Sequence, residues 1–195
     1  RRYDSVSRHD SVVGSRQLFN SVGVIAMFRN LGHALRWSYE TAERSTIGYS
    51  NTAAIMRLGE QCGASASKSP DDLSAQDRLA QAVWLIQTVE EVLSHHPFEL
   101  AAIQCQYGRG STHFADGLIT LATQFDHVCM NILIVDDLLA SLYCKGDKQY
   151  KMMRLADKHD KEKKKIKRYR DKIEKQCREW QYSAEAKIES ELRAK

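Results

Sequence analysis

The sequence has little proline, no strand-like pattern and no apolar run long enough to cross a membrane. Its 195 residues include only two prolines, Pro70 and Pro97, and no segment alternates apolar with polar residues as a half-buried strand does. The longest apolar run, 128–135, is interrupted by Asn131, whereas a membrane-spanning helix needs about 20 apolar residues. We therefore predict an all-α fold, a helical bundle with no membrane partner.

The cysteines lack the spacing of a disulfide framework, a zinc site or a redox motif. There are five of them, widely spaced and without a C-x-x-C pair: Cys62, Cys105, Cys129, Cys144 and Cys177. This pattern is typical of reduced thiols in the cytosol. No signal peptide is visible, although the sequence begins at Arg1 instead of Met, so we expect some native residues to precede it. These observations predict a cytoplasmic protein without a metal or other cofactor.

No arrangement of side chains in the sequence indicates catalysis. His95 and His96 are adjacent, so on a helix they point in different directions, and no cysteine or carboxylate cluster lies near them in sequence. The Gly-Arg-Gly stretch 108–110 is too short for a phosphate-binding loop and predicts a turn. Asp136 and Asp137 are interpreted as a solvated or capping pair. We therefore predict that the protein is not an enzyme and has no catalytic residues.

Composition shifts and apolar periodicity divide the chain into five segments. Residues 1–16 are rich in Arg, Ser and His without an apolar period, which predicts a mobile arm. A Gly- and Ser-rich linker, 63–72, separates an N-terminal helical segment, 17–62, from a helical body, 73–145. Residues 146–195 are predicted to hold a helix-turn-helix and a long C-terminal helix.

Helix start and stop signals refine these segments. The apolar period predicts a helix over 17–39, followed by a break over 44–50. A Ser-Pro pair at 69–70 or, alternatively, Ser74 starts the helix that opens the body. Two more helices between 112 and 142 are predicted to pack as a hairpin.

The positive charge of the chain is concentrated near the C-terminus. The formal net charge is +4, but residues 145–178 contain 15 Lys or Arg against six Asp or Glu, a net of +9. The remainder of the chain is therefore negative. Such a local excess indicates a polyanionic partner, and its alternative is a solvated basic helix.

The same region has the spacing of a helix-turn-helix. This motif needs a small residue where its two helices touch, a turn about four residues later, and an aliphatic residue about ten after the small one. Ala156, Asp160 and Ile166 meet that spacing, and Asp tolerates the left-handed backbone that the turn requires. The predicted apolar core of the motif consists of Leu155, Ala156, Ile166, Tyr169 and Ile173.

The predicted DNA-binding residues are the basic side chains of the turn and the second helix. Arg and Lys at these positions suit phosphates and the edges of guanine in the major groove. They are Lys158, Lys161, Lys163, Lys164, Lys165, Lys167, Arg168 and Arg170. An apolar stripe continues beyond them, from Cys177 to Leu192. It either packs on the chain's own core, which we favour, or forms a contact with a second copy or another protein.

The segments 138–146 (LLASLYCKG), 152–156 (MMRLA) and 166–173 (IKRYRDKI) together resemble phage Q-type transcription antitermination proteins, including the prophage-derived AlpA kind. That pattern is a helix ending in an aromatic residue and glycine, followed by a sigma-like helix-turn-helix. Residues 77–110 are similar to the helical hairpin that precedes the motif in the family. Residues 1–65 have no counterpart there.

The resemblance implies a function that needs no catalytic residue. Its members bind double-stranded DNA beside a promoter and contact a bacterial RNA polymerase that is paused with its sigma factor. They then travel with the enzyme and narrow its RNA exit channel, so that pausing and termination are suppressed. By this resemblance the protein acts in the bacterial cytosol or nucleoid.

Two other interpretations remain open. The chain is alternatively a dimeric helix-turn-helix repressor, activator or DNA-packaging subunit, whose twofold symmetry would appear in its DNA half-sites. A third interpretation is a helical adaptor protein with a merely solvated basic segment, which would lack preference for specific DNA over random DNA.

Overall fold

The computed structural model describes residues 28–46, 73–125, 127–129, 131–144 and 152–194. Within these ranges the regular structure consists of seven α-helices and no strand, so the prediction of an all-α fold is confirmed. The helices are α1 (Leu31–Thr46), α2 (Ala75–Val92), α3 (Pro97–Tyr107), α4 (Thr112–Gln124), α5 (Ile132–Tyr143), α6 (Met152–Lys158) and α7 (Lys163–Ala194). None of these described helices is long and apolar enough to span a bilayer.

The first helix differs from its prediction at both ends. Residues 28–30, which the predicted helix over 17–39 included, are not helical, and α1 begins at Leu31. The predicted arm, 1–16, and the predicted linker, 63–72, lie outside the described residues. The predicted break at Arg44 is wrong, because α1 continues through it to Thr46. Arginine is a good helix former, and Arg44 lies one turn after Glu40, 4.0 Å from its carboxylate, which favours continuation of the helix.

Side-chain caps explain where three of the helices begin. Ser74, Ser111 and Asn131 each accept a hydrogen bond from a backbone N–H two or three residues later, at the starts of α2, α4 and α5. Such caps satisfy backbone donors that have no partner inside the helix. Pro97 is the first residue of α3, a position where its missing N–H costs no hydrogen bond. Of the two predicted starts for α2, Ser74 is therefore the one used.

The core has two parts, and α7 runs through both of them. The first part lies among α3, α4, α5, α6 and the N-terminal half of α7, where Ile166 and Ile173 are fully buried. The second part lies among α1, α2, α3 and the C-terminal half of α7, where Ile188 and Leu192 are buried. The apolar stripe of α7 thus packs on the chain's own core, and the long helix joins the two halves.

Close packing of α3 against α4 depends on one glycine. A Cβ atom at Gly117 would lie 2.9 Å from the carbonyl oxygen of Ala101 and 2.9 Å from Sγ of Cys105. Real Cβ atoms do not approach backbone oxygen so closely, so only glycine allows the two helices to lie at this distance. This contact holds α4 against α3, and α5 packs against both α4 and α7 in the first core.

Candidate nucleic-acid interface

A tight turn ends α6 and connects it to α7. The N–H of Lys161 donates to the carbonyl of Ala156 at 3.0 Å, and the N–H of Asp160 donates to that of Asp157 at 3.3 Å. This pair of bonds, with a left-handed residue between the helices, is the Schellman motif. Asp160 is that residue, with φ of 47°. Aspartate replaces the usual glycine because its short polar side chain lowers the cost of this conformation.

The two helices of the predicted motif dock through its predicted apolar residues. Leu155 and Ala156 from α6, and Ile166 and Ile173 from α7, are all buried in the first core. Tyr169 is half-buried and packs against the same cluster. The structure therefore brings the five residues of the predicted motif core together, with the small side chain of Ala156 facing the longer helix.

The helix α5 also contacts the end of α6, through a carboxylate that the sequence analysis did not connect with this turn. Asp137 Oδ2 lies 2.7 Å from Nε2 of His159 and 2.6 Å from Nζ of Lys158, both at the end of α6. The side chains of Asp137 and His159 are 18% and 8% exposed, so the contact is largely shielded from water. The earlier interpretation of Asp137 as a solvated or capping residue is therefore wrong, because it fixes the turn against α5.

Most of the predicted DNA-binding side chains are exposed on one end of the molecule. The exposed ones are Lys161, Lys163, Lys164, Lys165, Lys167 and Arg168. Lys158 is also exposed, but its ammonium group pairs with Asp137. Arg170 is half-buried, and its Nε lies 3.9 Å from a carboxylate oxygen of Glu174. These two side chains are less available to a phosphate than the other six.

Three consecutive lysines form the start of α7. The first turn carries Lys163, Lys164 and Lys165 and no acidic residue. The N-terminus of a helix bears a partial positive charge, which disfavours nearby cations and favours anions. Glu162, the residue directly before α7, is the acidic residue nearest to these lysines in the sequence, and its carbonyl accepts the N–H groups of Lys165 and Ile166.

A row of exposed basic side chains extends this end of the molecule along α7. Lys164, Arg168, Lys172 and Lys175 recur at intervals of three or four residues, which places them on one face of the helix. We call these four residues the basic row. Over the 11 residues from first to last, the row is about 16 Å long at the usual helical rise.

The remaining polar groups show no catalytic arrangement among the described residues. His95 and His96 are exposed, and no group of three metal-binding side chains occurs in the described part of the chain. The turn 108–110 has a structural contact, in which the Arg109 guanidinium donates to the carbonyl of Tyr143 at the end of α5.

Two buried thiols in the first core resist ionisation. Burial raises the pKa of Cys177 to about 12, an effect that nearby Glu174 strengthens and a hydrogen bond with Tyr143 opposes. Burial likewise raises the pKa of the Cys105 thiol above its usual range. All four described cysteines are free thiols, which matches the sequence prediction for them. Neither buried thiol has the character of a nucleophile.

The sequence was also compared with known proteins. No protein-family model matches it, and no curated protein matches it. The resemblance to antitermination proteins therefore stays a prediction.

Proposed function

We propose that this protein is a transcription regulator that binds double-stranded DNA through the start of α7 and the turn before it. The observation that supports the proposal is the set of six exposed basic side chains at the junction of α6 and α7, two helices that dock through buried apolar residues. A docked helix presents its basic face in a fixed orientation. An α-helix fits the major groove of B-DNA, where Arg and Lys reach guanine edges and phosphates.

The proposal extends to the mode of regulation. By its resemblance to Q-type antitermination proteins, the chain loads on DNA near a promoter, contacts RNA polymerase with its sigma factor and suppresses pausing and termination. In this arrangement α7 is the loading helix, and the helical body formed by α1 to α4 meets the polymerase. The action is steric, so no catalytic step and no cofactor are part of the proposal.

Single-round transcription tests this function directly. The template carries the cognate promoter region and a downstream intrinsic terminator, and terminated and full-length RNAs are quantified separately. We expect the protein to raise the full-length fraction, and we expect the effect to disappear when the DNA element is moved away from the promoter. An ordinary activator instead raises total RNA and leaves the terminated fraction unchanged.

A matched pair of variants separates DNA loading from general charge effects. Lys164→Ala with Arg168→Ala removes two charges from the basic row, and Arg44→Ala with Arg193→Ala removes two from exposed, weakly paired sites elsewhere. The first variant should lose readthrough, and the second should keep it. If the wild-type protein binds the template but does not change the ratio of terminated to full-length RNA, antitermination is excluded. The protein would then be a simpler DNA-binding regulator.

A further inference from the structure

A groove opens beside α7 at the far end of the basic row. It lies between the start of α3, the turn after α4 and the middle of α7, and its volume is about 610 Å³. Grooves that bind small molecules or single nucleotides have volumes of about 300–1,000 Å³. The size of this groove therefore suits an aromatic ring with one attached charged group.

One wall of the groove is aromatic and has a fixed orientation. The ring of Trp180 stacks on Phe98, with centroids 5.3 Å apart and planes inclined by 24°. The fully buried Phe125 also contacts this ring, with centroids 5.7 Å apart and planes inclined by 44°. Trp180 is only half-buried, so part of its ring remains accessible in the groove. A preorganised ring of this kind is a stacking platform for a nucleobase.

The polar side chains that line the groove are of two kinds, basic ones that can bind a phosphate and others that can form hydrogen bonds with a base. Lys172, Lys175 and the exposed His127 can meet a phosphate, although Lys175 lies 3.9 Å from the carboxylate of Glu179. Because Glu179 repels anions, the phosphate side of the groove is the side of Lys172. The amides of Gln124 and Gln176, together with Glu179, offer the donors and acceptors that the edge of a base needs.

The groove and the basic row share Lys172 and Lys175. Trp180 follows Arg168 by 12 residues on the same helix, about 18 Å along its axis. A nucleic-acid strand with its phosphates on the basic row therefore reaches the aromatic wall within a few nucleotides. A base inside a duplex cannot stack on Trp180, because its faces are already covered by its neighbours.

We propose that this groove binds an unpaired nucleobase of a single strand that continues from the duplex on the basic row. The inference rests on the proposed DNA binding and names its second ligand. The chemistry recognised is an aromatic base with an adjacent phosphate. A free nucleotide has the same chemistry, but the continuity of charge along α7 favours a strand.

Fluorescence anisotropy with labelled DNA tests the inference. The affinity for a blunt duplex is compared with that for the same duplex extended by four unpaired thymidines, and each is measured with wild type, Trp180→Leu and Lys172→Ala. We expect the extension to tighten binding by wild type about 10-fold, as one stacked base does. Trp180→Leu should lose this gain and bind the blunt duplex as before, and Lys172→Ala should reduce the gain.

The outcomes separate the inference from the proposed function. Tight binding of the blunt duplex with no gain from the extension overturns the inference and leaves the proposed function intact. Trp180-dependent binding of single-stranded thymidine without any duplex binding supports the groove and contradicts the proposed function. Saturation of the groove by thymidine monophosphate at the same affinity as by the extension overturns the assignment to a strand. If Trp180→Leu unfolds, the exposed Lys172→Ala decides the matter, since an undiminished gain in this variant overturns the inference.

Discussion

Asp137 on α5 and His159 at the end of α6 are held together by a contact of 2.7 Å between Oδ2 and Nε2. A carboxylate oxygen and a ring nitrogen of histidine at this distance are within hydrogen-bond range. The ammonium group of Lys158 approaches the same oxygen atom at 2.6 Å. One carboxylate thereby fixes the turn that directs the chain into α7, although 22 residues separate it from His159.

Removal of this carboxylate should loosen the turn. We expect Asp137→Ala to lower the free energy of unfolding by about 1–3 kcal/mol, because it leaves the largely buried ring of His159 without its acceptor. In a protein of this size each kcal/mol lowers Tm by about 2–4 °C.

Its neighbour is the matched control. Burial, followed by repulsion from Asp137, raises the pKa of Asp136, so its charge is unfavourable in the folded state. Asp136→Ala should therefore leave Tm unchanged or slightly higher. Equal losses in the two variants would show that the contact with His159 does not stabilise the turn.

The backbone of Asp160 allows a second test of the same turn. Its φ of 47° is left-handed, which is strained for most residues and unstrained for glycine. We expect Asp160→Gly to preserve Tm and Asp160→Val to lower the free energy of unfolding by about 1–2 kcal/mol, because β-branched side chains fit this conformation worst. Chemical denaturation of both variants measures the difference, and the reverse order would contradict the assignment of a Schellman turn.

The sequence predicted the turn at Asp160 and the buried residues on either side of it because these features depend on local spacing. The turn at Asp160 and the buried partners Ala156 and Ile166 are separated by a few residues, so periodicity and backbone preference predict them. The contact between Asp137 and His159 depends on how α5 packs against the end of α6. A local sequence pattern does not predict a contact between residues so far apart. The groove at Trp180 was missed for the same reason, since its walls come from three distant segments.

The partners of charged residues were more difficult to predict from the sequence than the burial of apolar residues. Lys158 and Arg170 carry the same formal charge as their neighbours in the sequence, and only the structure shows their acidic partners. The apolar periodicity likewise did not predict that α1 continues through Arg44. A polar residue at the end of a helix and a polar residue in a loop look the same in the sequence, because neither adds to the apolar pattern. Periodicity predicts which residues are buried, but partners of charged residues depend on tertiary packing.

The junction of α6 and α7 should be sensitive to a buried charge. Ala156 is 6% exposed and faces α7, so Ala156→Asp should cost several kcal/mol and unfold or displace α6. Met153→Asp places the same charge in the same short helix at a position that is 64% exposed, and it should leave the melting curve nearly unchanged. Melting curves and duplex affinity are measured for both variants. Normal stability and DNA binding in Ala156→Asp would show that the motif lies elsewhere.

The buried thiols predict an alkaline instability. Burial raises the pKa of Cys177 to about 12, and an unfolded cysteine ionises near 8.5. The folded state favours the protonated thiol, so its stability is unaffected below about pH 8.5 and falls as the pH rises towards 12. The urea midpoint should therefore drop between pH 8 and 10.5, and the drop should be smaller in Cys177→Ala. If the urea midpoint drops equally in wild type and Cys177→Ala, ionisation of Cys177 is not the cause of the drop.

The central claim is that the start of α7 binds duplex DNA, and the salt dependence of binding tests it most directly. About five phosphates on the exposed lysines and Arg168 predict a slope of log affinity against log salt concentration of about −4 to −5. Lys164→Ala with Arg168→Ala should make the slope shallower by about 2, since each lost phosphate contact removes about one unit. The Arg44→Ala and Arg193→Ala control should keep the wild-type slope. A wild-type slope near zero, or one that the Lys164 and Arg168 substitutions leave unchanged, would contradict the account.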